Sequence, residues 1–103
     1  MAKNNKNIKE LSPELQKIKN TIVPILKSNG IKKAGIFGSY VRNEQNKDSD
    51  VDILIDFHEG LFKLAGIKIK LEKELNKDVD LLTYKSIHPF LKKQILNEEV
   101  KII

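Results

Sequence analysis

The sequence contains no cysteine and no tryptophan, and it has a single arginine. Without cysteine there can be no disulfide, no thiolate nucleophile and no Cys-ligated zinc or iron–sulfur site. No apolar run approaches the length that spans a bilayer, and the first residues lack the apolar segment of a secretory signal. We therefore expect a cytoplasmic protein whose residues 1–103 form one domain, with residues 1–8 flexible.

The net charge of +5 comes almost entirely from lysine, since 18 of the 19 basic residues are lysines spread along the chain. Dispersed lysines are typical of a solvated surface, and net charge alone is weak evidence about partners. No basic aromatic platform accompanies the charge, so nucleic acid is not expected as a direct ligand. The one arginine, Arg42, differs because a guanidinium can hold a phosphate through two parallel hydrogen bonds.

The order of apolar and turn residues predicts alternating helices and strands. Ser12-Pro13-Glu14 predicts the start of a helix that extends to Asn29-Gly30, and Pro24 is expected to kink or split it. Ser86 is expected to cap the last helix. Strands are predicted at 33–37, from Asp50, at 78–83 and at 100–103, with helices at 39–43 and 61–76. This order predicts an α/β (α+β) fold, a small mixed sheet with helices packed mainly on one face.

Two short blocks carry the residue types of phosphate and metal chemistry. Gly38-Ser39 follows a predicted strand and opens a helix, which would direct backbone N–H groups and a hydroxyl toward an anion. After ten intervening residues, Asp50 and Asp52 project from one strand face about 7 Å apart. Such close carboxylates repel unless cations lie between them, and they suit Mg²⁺ completed by substrate phosphates. Arg42 could clamp the same phosphates, so the pattern indicates two-metal nucleotidyl transfer.

A third carboxylate, Asp80, is predicted on the same face of the following strand. If the two strands are neighbours, Asp80 joins Asp50 and Asp52 as a base for the attacking hydroxyl or as a ligand of the second metal ion. Leu54 and Leu82 are expected to lie exposed on this open face. They would form apolar surface that a partner protein could cover.

Two histidines and two tyrosines have ordinary structural interpretations. His58 and His88 are thirty residues apart and lack metal-ligand spacing. Tyr40 and Tyr84 have side chains that could stack on a base, but core or surface packing explains them equally well. None of the four is therefore assigned to the site.

The segments Gly38-Ser39-Tyr40-Val41-Arg42 and Ser49-Asp50-Val51-Asp52-Ile53-Leu54 resemble the active-site motif of the DNA polymerase beta-like nucleotidyltransferase superfamily. The similarity extends from Ile22 to Val100, and Asp80 stands where the third carboxylate of the superfamily is expected. At this length the chain resembles a minimal nucleotidyltransferase, a domain commonly paired with a HEPN-domain ribonuclease toxin. The resemblance implies the nucleotidyltransferase fold. One small departure is Val41, where many relatives have alanine.

The resemblance also implies an activity and a role for each site residue. Members of this group act as antitoxins that transfer AMP from ATP to a tyrosine of the partner HEPN protein, which blocks its ribonuclease activity. Ser39 would hold the triphosphate through its hydroxyl and backbone, and Gly38 would allow close approach. Asp50 and Asp52 would carry two Mg²⁺ ions, and Asp80 would help the second ion to activate the acceptor tyrosine.

Two other functions stay open on the sequence alone. A non-catalytic antitoxin would neutralise its partner by contact, although an unused cluster of carboxylates tends to be destabilising. A small-molecule nucleotidyltransferase of the aminoglycoside-modifying type would need an acceptor pocket, which homodimerisation could provide. The presence or absence of a modification on the partner distinguishes these functions from protein adenylylation.

Overall fold

The computed structural model describes residues 11–103 of the chain. The elements are α1 (Pro13–Ser28), β1 (Ala34–Phe37), α2 (Ser39–Arg42), β2 (Val51–Ile55), α3 (Leu61–Leu75), β3 (Val79–Thr83), α4 (Pro89–Glu98) and β4 (Val100–Lys101), with a 3₁₀ turn at Tyr84–Ser86. Every predicted helix and strand is present, with bounds within a few residues of the prediction. The prediction that residues 1–8 are flexible lies outside the described residues.

The four strands form one mixed sheet in the order β3-β2-β1-β4. β2 and β3 are parallel, which the crossover through α3 allows, and β1 is antiparallel to both β2 and β4. The predicted mixed sheet is therefore confirmed. Its order places β2 directly between the strand that leads into Gly38 and the strand that carries Asp80.

One face of the sheet is covered by α1 and α3, which pack against each other. The side chains that are completely buried there include Leu26 of α1, Leu71 of α3, and Val51, Ile53 and Ile55 of β2. The alternation of apolar residues along β2 turns this set toward the helices. The core face predicted for this strand is thus confirmed.

The opposite face of the sheet is partly covered, which corrects the expectation that Leu54 is exposed. Leu54 is completely buried and packs with Phe37, Ile87 and Ile95, the last of which lies on α4. Leu82 is partly buried against the same cluster. The expected apolar docking surface is therefore a second small core, because α4 folds back over this part of the sheet.

The first helix is not split at Pro24, although splitting is one of the two outcomes predicted there. The start is as expected, since the Ser12 hydroxyl accepts a hydrogen bond from the Leu15 N–H at 3.2 Å. The helix continues through Pro24 to Ser28 without splitting. Proline leaves the carbonyl four residues earlier, that of Asn20, without its usual partner. Asn20 and Pro24 are both exposed, so water can reach this carbonyl.

The last helix is capped by a residue other than the predicted Ser86. The Ser86 hydroxyl donates to the Thr83 carbonyl at 3.0 Å and belongs to the 3₁₀ turn. His88 is the N-cap of α4, and its Nδ1 accepts from the Phe90 N–H at 3.1 Å. A deprotonated ring nitrogen can thus replace the usual hydroxyl or carboxylate cap.

No helix within residues 11–103 combines the length and the apolar character that a membrane span requires.

Candidate active site

The turn between β1 and α2 is built on a glycine that no other residue could replace without strain. Gly38 is the N-cap of α2 and has φ +82°, a conformation that L side chains rarely adopt. A Cβ added at this position would also overlap a carboxylate oxygen of Asp52. The Asp52 carboxylate therefore lies directly against the backbone of the turn, and Ser39 begins α2 beside it.

Ser39 occupies the first position of the short helix α2. Its backbone carbonyl accepts from the Glu44 N–H at 2.9 Å, which closes the end of the helix. Its side chain is half-buried, and within residues 11–103 the hydroxyl makes no hydrogen bond to another group. The predicted role of this hydroxyl in holding a phosphate stays a prediction.

The parallel pairing of β2 and β3 brings two of the predicted carboxylates together. Asp52 is the direct register partner of Asp80, so both side chains project from the same face of adjacent strands. Asp50 immediately precedes β2 and is exposed, as is Asp80, whereas Asp52 is partly buried. The neighbouring position of Asp80, which the sequence analysis could only make conditional, is therefore confirmed.

The environment of Asp52 favours the protonated form of its carboxyl group. The pKa of Asp52 is raised from its ordinary value of 3.8 to about 6. Burial is the largest cause, and the nearby negative charges of Asp80 and Asp50 add to it. The Arg42 guanidinium acts in the opposite direction, while Glu98 adds to the increase. A cation bound among these carboxylates would remove the repulsion that raises this pKa.

The three carboxylates lie near the starts of β2 and β3, but they do not form a complete metal site by themselves. Within residues 11–103, no three histidine, aspartate or glutamate side chains are gathered into a group that could hold a metal ion by themselves. Mg²⁺ commonly takes only one or two protein carboxylates and completes its shell with water and substrate phosphates. The donor set of Asp50, Asp52 and Asp80 is compatible with that mode of binding, because all three supply hard oxygen ligands.

The single arginine is held by two carboxylates. Arg42 Nη1 lies 3.0 and 3.1 Å from the two carboxylate oxygens of Glu98, and its Nε lies 3.0 Å from Glu44 Oε1. Its other terminal nitrogen, Nη2, makes no hydrogen bond within residues 11–103. The predicted phosphate clamp would therefore have to use a guanidinium that is already partly engaged.

Glu98 is the residue of this region that the sequence analysis did not identify. Its Oε1 accepts the Gly38 N–H at 2.8 Å in addition to its contact with Arg42. Glu98 stands sixty residues after Gly38, at the last position of α4. A carboxylate at the C-terminal end of a helix opposes the helix dipole, and this was the one sequence signal that could have drawn attention to it.

The other residues considered in the sequence analysis lie outside this group. Tyr40 is almost completely buried in the main core, and the Tyr84 hydroxyl donates to Glu99. Burial therefore leaves the Tyr40 ring no free face on which a nucleotide base could stack. His58 Nε2 lies 2.8 Å from Asp56 Oδ1, beyond the other end of β2 from Asp52.

Two open clefts adjoin the candidate residues. A polar cleft of about 470 Å³ lies beside the residues that lead into β2 and β3 and includes Lys47, Ser49 and Asp78. A second cleft of about 600 Å³ lies between α2 and α4 and includes Arg42 and Phe90. Both are large enough to admit part of a nucleotide or of an acceptor side chain.

The chain is similar in sequence to a known protein family and to individual proteins. The sequence pattern of the family described as "Nucleotidyltransferase domain" matches residues 15–102. A Methanocaldococcus jannaschii protein classed with the protein adenylyltransferases is 54% identical over 91 residues, which covers 86% of this chain and 98% of that protein.

Solved structures show the same similarity in three dimensions. The fold matches a chain of a toxin–antitoxin complex crystallised with AMP-PNP, with a TM-score of 0.71, 28% identity, and coverage of 82% of this chain and 72% of that one. It also matches a complex of tri-AMPylated Shewanella oneidensis HEPN toxin with MNT antitoxin, with a TM-score of 0.65, 26% identity, and coverage of 85% and 71%.

Proposed function

Because the chain belongs to the nucleotidyltransferase domain family and is a nucleotidyltransferase, we propose that it transfers AMP from ATP to a tyrosine of a partner HEPN toxin. In this role it is the antitoxin of a toxin–antitoxin pair and works in the cytoplasm. The observation that carries the proposal is the position of Asp52, pressed against the Gly38 turn and paired in register with Asp80. A phosphate held at the turn would lie beside these carboxylates.

Each residue has a separate part in the proposed reaction. Ser39 binds the triphosphate through its hydroxyl and backbone, Gly38 allows the phosphates to approach closely, and Arg42 contributes its guanidinium. Asp50, Asp52 and Asp80 would hold two Mg²⁺ ions, which would neutralise phosphate charge and polarise the α-phosphorus. 

The acceptor end of the reaction depends on Asp80. The tyrosine oxygen attacks the α-phosphorus of ATP, a new O–P bond forms, and the bond to the leaving pyrophosphate breaks. The phenolic proton passes to the Asp80 carboxylate in this step. Its exposed position on β3 suits this role, because an acceptor carried by another protein can reach it.

Two observations favour a protein acceptor over a small molecule. The side chains of Phe62 on α3 and Phe90 on α4 are 97% and 90% exposed, and large apolar side chains at the surface are typical of protein contacts. The solved complex of tri-AMPylated Shewanella oneidensis HEPN toxin with its MNT antitoxin provides a precedent for such an acceptor.

The experiment that tests the proposal is co-expression with the proposed HEPN toxin partner, followed by mass spectrometry of that toxin. Asp80→Asn should lower the rate of AMP addition by ~10²-fold or more, since a positioned base is lost. Asp78→Asn is the matched control, because Asp78 is also exposed and lies just before β3. It should leave the modification intact.

The same experiment identifies the alternative functions. If Asp80→Asn neutralises the toxin as well as the wild type while no AMP is added, the chain is a binding antitoxin. If the wild type never modifies the partner but consumes ATP with a small-molecule acceptor, the proposal that the acceptor is a protein is wrong.

A further inference from the structure

We propose that Glu98 is a positioning residue of the nucleotide site, a role that depends on the function proposed above. The Glu98 carboxylate connects the two ends of α2, at Gly38 and Arg42. By holding both, it keeps the Gly38 turn in the orientation that receives the triphosphate.

The geometry of Glu98 shows a carboxylate shared between two donors. Its Oε1 accepts the Gly38 N–H at 2.8 Å and lies 3.0 Å from Arg42 Nη1, while its Oε2 lies 3.1 Å from the same nitrogen. The side chain is 18% exposed, so these hydrogen bonds are largely protected from water. Charge-assisted hydrogen bonds of this kind are stronger than neutral ones.

The helix that Glu98 holds has little stability of its own. α2 is only four residues long. The Gly38 carbonyl accepts from the Val41 and Arg42 N–H groups at 3.0 and 3.1 Å, and the Ser39 carbonyl accepts from the Asn43 and Glu44 N–H groups. Glycine at φ +82° has access to many other conformations. An external acceptor on the Gly38 N–H therefore restricts the part of the turn that is most free to move.

The location of Glu98 is unfavourable unless these contacts compensate for it. A carboxylate in the last turn of α4 opposes the helix dipole, and Glu98 also lies near the acidic group around Asp52. Only the contacts with Gly38 and Arg42 offset these two costs among the described residues. The contacts of Glu98 with Gly38 and Arg42 thus explain why a carboxylate occupies this position.

The carboxylate could instead compete with a phosphate for the same donors. The structure favours positioning, because Arg42 still has its Nη2 group for a phosphate while Nη1 is bonded to Glu98. The Gly38 N–H points to α4, where the Glu98 side chain is mostly buried. The two roles predict opposite effects on nucleotide affinity, and the experiment below separates them.

The test measures binding of Mg²⁺–ATP to the purified chain by titration calorimetry. Glu98→Ala should weaken binding by about tenfold, as expected for the loss of a buried charged acceptor. Glu98→Gln should stay within about threefold of the wild type, because its amide oxygen still accepts the Gly38 N–H. Glu98→Asp keeps the charge but is one methylene too short, so it should behave like the alanine variant.

Glu44→Ala is the matched control, since it also removes a carboxylate from Arg42 but makes no contact with Gly38. Its affinity should equal that of the wild type. If Glu98→Ala and Glu98→Asp bind Mg²⁺–ATP as tightly as the wild type or more tightly, Glu98 does not position the site. If Glu98→Ala does not fold, the opposite responses expected of the Gln and Asp variants still decide the question.

The wild-type titration separates this inference from the proposed function. A wild-type chain that binds no Mg²⁺–ATP contradicts the proposed adenylyl transfer itself. Normal wild-type binding together with unchanged binding in the Glu98 variants contradicts only the positioning role.

Discussion

Replacing Asp52 by asparagine removes a carboxylate that the fold holds under unfavourable conditions, and it should stabilise the protein at neutral pH. The side chain is partly buried against Gly38 and adjoins Asp80 across the strand pair. Asparagine has nearly the same shape, so the packing at the turn is retained. Only the charge and its repulsion are lost.

The expected gain follows from the pKa of Asp52. Burial, assisted by the charges of Asp80 and Asp50, raises this pKa from 3.8 to about 6. A shift of about two units corresponds to roughly 3 kcal/mol, and solvent screening of a half-buried group reduces this to about 1–2 kcal/mol. In a domain of this size the melting temperature should therefore increase by about 5–10 °C.

The pH dependence of the gain tests its cause. Because the folded state binds the Asp52 proton more tightly than the unfolded state, wild-type stability falls as pH rises from about 4 to about 6 and the loss persists above that range. Asp52→Asn lacks this loss. The advantage of the variant should therefore be full at about pH 7.5 and mostly absent at about pH 4.

Urea unfolding at the two pH values measures the effect, with Asp48→Asn as the matched control. Asp48 is exposed in the loop before β2, so its substitution should change the free energy of unfolding by less than about 0.5 kcal/mol at either pH. The reasoning is refuted if Asp52→Asn is no more stable than the wild type at neutral pH, or if its gain is the same at both pH values.

Two further substitutions test the turn and the arginine. Gly38→Ala should lower the free energy of unfolding by roughly 2 kcal/mol or more, because the backbone has φ +82° and the new Cβ would overlap Asp52. Gly66→Ala, in the middle of α3 with open space around it, should instead raise it by about 0.5–1 kcal/mol in the same urea assay, and equal effects would contradict the argument. Arg42→Lys should weaken Mg²⁺–ATP binding by about tenfold despite keeping the charge, because an ammonium cannot hold a carboxylate and a phosphate in the same fork. Full affinity in the lysine variant would show that the guanidinium is dispensable.

The sequence was sufficient to predict the elements and most of the candidate site. The glycine and serine of the turn, the two aspartates of β2 and the apolar alternation of that strand are local patterns, and local patterns determine which backbone conformation and which face each residue takes. These predictions depend only on residues that are close together in the sequence, and not on contacts with distant parts of the chain. The predicted nucleotide and metal residues lie together around the turn, and their roles stay predictions.

Two of the errors have different physical origins, one in a contact between distant residues and one in a competition between local hydrogen bonds. Leu54 alternates with the core residues of β2 and was expected to be exposed, but α4 folds over it and Ile95 packs against it. His88 rather than Ser86 caps that helix, since the intervening 3₁₀ turn uses the serine hydroxyl. No local pattern indicates where a later helix will lie against an earlier strand.

By itself the sequence determined the family, the order of helices and strands, and the residue types of the acidic group and the Gly38 turn. Only the tertiary structure decided that Asp80 lies beside Asp52 and that burial raises the pKa of Asp52. The tertiary structure also decided that Glu98, sixty residues after Gly38 in the sequence, contacts both Gly38 and Arg42. The reason is that register, burial and long-range hydrogen bonds depend on how the elements pack, and packing is a property of the whole chain.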